Sequence, residues 1–107
     1  MGEAVPKPTR VHDDAFLAFI RTQRCLVRES HVGIELQWLR VEAAHVVSIG
    51  AGGGDDLVVP LCAWHHRIGP GAVHWIGRET FEGQHGMDLG LEAAKLRGYF
   101  LDAPFAP

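Results

Sequence analysis

The sequence predicts a small α+β domain, on three observations. Apolar residues recur at helical spacing near both ends of the chain. The middle holds short apolar, β-branched runs split by a glycine-rich loop. The second of these runs breaks straight into "CAWHHR", Cys62 to Arg67, a turn crowded with ligand-type side chains. A chain of 107 residues suits one domain, residues 1–107, with one modest core.

Each element can be justified in order. Residues 1–12 carry Pro6 and Pro8 and read as a loose arm ahead of a core spanning about 14–90. In "DDAFLAFIRTQRCLV", Phe16, Phe19 and Ile20 share a face at i, i+3, i+4 spacing, which predicts a helix from about Asp14 to Arg24. Asp13 or Asp14 can cap it, because a short carboxylate accepts from the exposed N–H groups of a first turn. The next stretch can hold a short hairpin bending near "ESHVG". "IELQWLRVEAAHV" is ambiguous: Ile34, Leu36 and Trp38 alternate as in a strand, whereas Leu39 and Val41 break that register.

"GAGGGDD" carries too much backbone entropy for helix or central strand, and is a loop. "LVVPLC" is a short extended run in which Pro60 opposes helix. A helix is expected from near Cys62 through "AWHHRIG", stopped by Gly69-Pro70-Gly71. A short helix over Arg78 to Glu82 follows. The last helix, about 88–101, places Leu89, Ala93, Leu96 and Phe100 on one face.

Composition narrows the function classes. No apolar run is long enough to span a bilayer, and the first ten residues lack the apolar core of a secretory signal, so the cytoplasm is the default compartment and no membrane partner is expected. The net charge of −3 argues against a broad basic coat for nucleic acid, although Arg21, Arg24, Arg28 and Arg40 crowd the first half and can form a local patch or a solvated face. The two cysteines, Cys25 and Cys62, are not expected to form a disulfide in a reducing compartment.

Cys62 and His65 stand three apart, so both can face one ion from a single turn. Cys25 offers a third ligand. A second cysteine would normally follow three residues later, but that position is Arg28; His31 can take its place. The alternative is that both cysteines are simply small buried residues. Neighbouring side chains on a helix diverge by about 100°, so His65 and His66 cannot easily serve one ion and suggest two. Glu42 lies three residues before His45, and on a strand it would point to the opposite face. His74 lies beyond the Gly-Pro-Gly turn, which can fold it back towards either ion or leave it on the surface; His85 reads as structural.

The order of "RCLV", "EAAHVVSIGAGGGDDLVVPLC", "HHR" and "HWIG", between about residues 24 and 77, resembles the HNH endonuclease family, in particular a small phage- and prophage-associated branch. The resemblance implies a ββα-metal core with flanking helices. It implies a hydrolase that cuts phosphodiester bonds in DNA. His45 matches the general base, and Asp56 falls where the family's middle asparagine usually stands, bracing the loop or reaching the ion. His66 matches a ligand of a catalytic divalent ion (Mg2+, Mn2+ or Zn2+), with His74 and Asp56 as further candidates. Cys62 and His65 match the second half of a structural zinc site and Cys25 the first cysteine of its first half, where His31 can stand in for the cysteine that Arg28 replaces. The competing expectation, motivated by Arg28 and the acidic net charge, is a catalytically weak module that binds nucleic acid or a protein partner.

Overall fold

The computed structural model describes residues 10–28 and 31–102. At its centre two strands, β1 (Val41–His45) and β2 (Val58–Cys62), pair antiparallel with Val41 opposite Cys62 and His45 opposite Val58. Four α-helices surround this ribbon among the described residues: α1 (Asp14–Arg21), α2 (Val73–Ile76), α3 (Arg78–His85) and α4 (Leu89–Asp102). The α+β class therefore holds.

The two faces of the ribbon bury different helices. On one, Val58 packs with Phe16 and Ile20 of α1, and with Ala43, Leu96 and Phe100 around them. On the other, Ala44, Val59 and Leu61 pack with Phe81 of α3 and with Leu89 and Ala93 of α4. Phe16, Ile20, Val58, Leu61 and Phe81 are wholly buried, and each stabilises the fold by about 1.5–3 kcal/mol through removal of apolar surface from water. The stripe expected on the last helix thus divides, with Leu89 and Ala93 meeting one cluster and Leu96 and Phe100 the other.

Asp13 is the N-cap of α1, its Oδ1 accepting from the Phe16 amide at 3.0 Å. This helix ends three residues before Arg24, because the Thr22 amide and hydroxyl both turn back onto the Phe19 carbonyl. No strand pairs with another over the described residues 24–40. Leu26 donates a single backbone bond to the Pro60 carbonyl, and Leu36–Trp38 forms one 3-10 turn. The expected hairpin is therefore absent there, and Glu29 and Ser30 lie outside the described residues, as does the arm up to residue 9.

Two further corrections concern the second half. Cys62 closes β2 rather than opening a helix, since the ladder runs one residue further and the Ala63 amide bonds the Arg40 carbonyl. The turn that follows, Trp64–Ile68, is wound as a π-turn, closed by the Gly69 amide on the Trp64 carbonyl. Gly69 is needed there, because a Cβ would sit 2.6 Å from the Trp64 indole. The helix expected over Arg78 to Glu82 continues to His85 and ends at Gly86, whose φ of 62° suits a residue without Cβ.

Candidate metal centre and active cavity

The end of β2 and the π-turn after it supply ligands in two directions. Toward one side, the Cys62 Sγ lies 3.2 Å from Nδ1 of His65 and 3.6 Å from Nε2 of His31. The Cys25 Sγ lies 3.8 Å from the same His65 nitrogen. One ligand atom from each of Cys25, His31, Cys62 and His65 falls within 4.8 Å of all the others. A tetrahedral zinc ion with bonds near 2.3 Å to sulfur and 2.0–2.1 Å to nitrogen would separate its S and N ligands by about 3.5 Å. The observed spacings bracket that distance, so the donor set fits a divalent ion such as zinc. Burial pushes the Cys25 thiol up to about 11, and both cysteines are free of disulfide. Position 28 is exposed and takes no part, and His31 is the fourth member of the group.

On the other side, His45, His66 and His74 line one cavity of about 450 Å³ together with Ser48 and Arg78. His45 is the last residue of β1, so its side chain leaves the ribbon where the glycine-rich loop begins. His66 leaves the π-turn beside His65 but faces the other way. The rings of His66 and His74 meet edge to face with centroids 4.4 Å apart. The Gly-Pro-Gly turn does fold His74 back, and it folds it towards His66.

Each of the two inner histidines carries a carboxylate on one ring nitrogen. Nε2 of His45 lies 2.8 Å from Oδ1 of Asp55. Asp55 is only 3% exposed and also accepts from Arg10 at 2.8 Å and from the Asp13 amide at 3.0 Å. The hydrogen bond to His45, the Asp13 amide and the Arg10 guanidinium hold its carboxyl well below the usual carboxylate range, against the cost of burial. Nδ1 of His66 lies 2.8 Å from Oε1 of Glu42, whose carboxylate is gripped by Nε and Nη2 of Arg67. Arg67, and secondarily His66, draw the Glu42 pKa down. Burial lowers the pKa of His66, which favours the neutral ring that a metal ligand must have.

The loop that presents Asp55 depends on Gly53, where a Cβ would lie 1.8 Å from the Val47 carbonyl oxygen. That close approach lets the chain double back after the 3-10 turn Ile49–Ala51. The Asp55 amide then bonds the Val11 carbonyl, tying the loop to the segment before α1. Residues 10–12 are thus part of the site's support, where the sequence suggested a loose arm.

One sequence-based assignment shifts by a residue. Asp55, and not Asp56, braces His45. Asp56 is half-buried over Gly54 and does not line the cavity, because the loop turns the first carboxylate of the pair inward. Glu42 stays in an unbroken ladder opposite Leu61, so it does alternate with His45. It reaches His66 because the π-turn brings that ring to it. Arg10, Asp55 and Arg78 were not singled out from sequence, and only the Asp55-Asp56 pair offered a signal.

The chain matches no protein-family model, no curated protein and no solved structure. No described helix is long and apolar enough to cross a membrane.

Proposed function

We propose that the chain is a metal-dependent endonuclease of the HNH type, with a ββα-metal core, that hydrolyses phosphodiester bonds in DNA. The supporting observation is the convergence of His45, His66 and His74 on one cavity, with Asp55 and Glu42 holding the outer nitrogens of the first two. Asp55 keeps the proton of His45 on Nε2, which leaves Nδ1 as the base. That nitrogen takes a proton from water as the water oxygen attacks phosphorus, and the sugar oxygen leaves. Glu42 likewise keeps the proton of His66 on Nδ1 and turns Nε2 toward His74, an arrangement common among metal-bound histidines. A divalent ion (Mg2+, Mn2+ or Zn2+) held by His66 and His74 would bind a phosphate oxygen and stabilise charge on the leaving oxygen. Arg78 lines the same cavity and can donate to a second phosphate oxygen. Cys25, His31, Cys62 and His65 would hold a separate zinc ion, which would fasten the segment before β1 to the end of β2.

Plasmid nicking with Mg2+ or Mn2+ tests this. Cleavage by the protein and its loss in His45→Ala are expected. Equal cleavage by both would remove His45 from the mechanism. DNA binding without cleavage in any divalent ion would select the binding-module reading instead.

A further inference from the structure

Beside the candidate active cavity runs a second groove of about 380 Å³, lined by Arg21, Gln37, Arg40, Glu42 and Arg67. Arg21 comes from the last turn of α1, Arg40 from the residue before β1, and Arg67 from the π-turn. Arg67 is neutralised by Glu42. Among the described residues, Arg21 and Arg40 have no carboxylate within ion-pair distance. In a chain with net charge −3, two exposed and unneutralised guanidiniums in one groove form a local anion-attracting surface.

Trp75 meets the backbone of one of the groove-lining residues, Arg67. The tryptophan is 71% exposed, yet it is not loose: the indole Nε1 donates to the Arg67 carbonyl at 2.8 Å. The bond fixes the ring edge and leaves its faces toward solvent. Trp75 follows His74 in α2, and Arg67 follows His66 in the π-turn. Ala43 lines both the groove and the histidine cavity, and the indole is tied by hydrogen bond to the groove residue Arg67.

We propose that the Arg21–Arg40–Arg67 groove and the Trp75 indole form one binding track for single-stranded nucleic acid, with phosphates in the groove and an unpaired base stacked on the ring. Every base has a π-face, so an aromatic platform beside a cationic groove binds a strand without reading its sequence. A paired base keeps its faces inside the duplex stack and cannot use the platform. The track rests on the nuclease reading for what happens to the strand, and it names the substrate class: unpaired or locally opened DNA.

The test is fluorescence anisotropy of a labelled oligothymidylate and of a duplex of equal length, in buffer without added Mg2+ or Mn2+, using the full chain. The single strand should bind more tightly than the duplex. Trp75→Ala should weaken single-strand binding by about tenfold and leave duplex binding unchanged. Trp75→Phe, which keeps a stacking face, should stay near the wild type and guards against a folding defect in the alanine variant. Arg21→Ala and Arg40→Ala should each reduce the slope of log affinity against log salt by about 0.7. Equal losses on both substrates, or none, overturn the track. Nicking assays in Mn2+, run in parallel, keep the two ideas apart. Nicking without any Trp75 effect leaves the nuclease and removes the track. Single-strand binding through Trp75 without cleavage does the reverse.

Discussion

Replacing Asp55 by alanine or by asparagine separates positioning from stability. The carboxylate accepts three bonds: Arg10 and His45 on Oδ1, and the Asp13 amide on Oδ2. Alanine removes all three and takes the carboxylate from Arg10, whose side chain is 23% exposed and keeps its bonds to the Gly53 carbonyl and His12. Losing one partner of a fully buried charge pair costs about 3–5 kcal/mol, and this partly exposed one falls at the lower end, about 3 kcal/mol. At about 4–8 °C per kcal/mol for a domain of this size, Tm should fall by more than about 12 °C. The asparagine carbonyl can replace Oδ1 and still accept from Arg10 and His45. Its amide then faces the Asp13 N–H, donor against donor. One lost bond costs about 1–3 kcal/mol. Asparagine should therefore keep His45 in its working tautomer and retain cleavage within about tenfold, whereas alanine frees the ring and should lose about 100-fold or more. Thermal melts beside nicking rates of both variants decide it. Equal loss of cleavage by two folded variants would refute the tautomer argument.

Other perturbations have equally definite outcomes. Elemental analysis of the purified protein should find about one zinc per chain, and His31→Ala or Cys25→Ser should lose it together with several kcal/mol of stability. His65→Ala should mainly lower Tm, while His66→Ala should abolish cleavage with a smaller thermal effect; melts and nicking assays measured together would show whether the two separate. Glu42→Gln should weaken Mn2+ activation by about 10–100-fold, read from cleavage against Mn2+ concentration, since it removes the carboxylate behind a metal-bound histidine. Asp13, held low chiefly by the Arg97 side chain, and Asp55 both have folded pKa values below their unfolded ones. Their contribution is complete above about pH 4 and is lost as pH falls from there toward the folded values. Urea melts from pH 7 to pH 3 should show stability falling over the acid range, and Asp13→Asn, which keeps the helix cap, should flatten that fall.

What could be read from sequence was what is local. The Cys62–His65 spacing brings two ligands to one side of any single turn, whether α or π, so that half of the metal centre needed no tertiary information. The opposed directions of His65 and His66 followed for the same reason. His31 stood six residues after Cys25 as a possible substitute for the cysteine that Arg28 replaces, and it does join the group. Asp55 was not foreseen. Which of two adjacent aspartates turns inward is set by the Gly53 approach to Val47 and by the Val11 carbonyl, contacts made across the fold. The π-turn was likewise invisible, since Ala63 to Ile68 has an ordinary helical composition and its winding depends on where β2 ends and where Gly69 packs.

That turn also joins the two sites mechanically. His65 and His66 are consecutive, and the first is tied to Cys25, His31 and Cys62 while the second is tied to Glu42 and, through it, to Arg67. Arg67 in turn holds Trp75 by its carbonyl, and Trp75 neighbours His74. Few other anchors hold this stretch: among residues 64–68 none is buried. Of its five residues only Arg67 is exposed and the rest are half-buried, and the strand ladder ends before it. Its geometry must come from the side chains at its two ends. The Cys2His2 group fixes His65 at one side of the turn while Glu42 holds His66 at the other, so on the proposed reading the two adjacent histidines serve different sites.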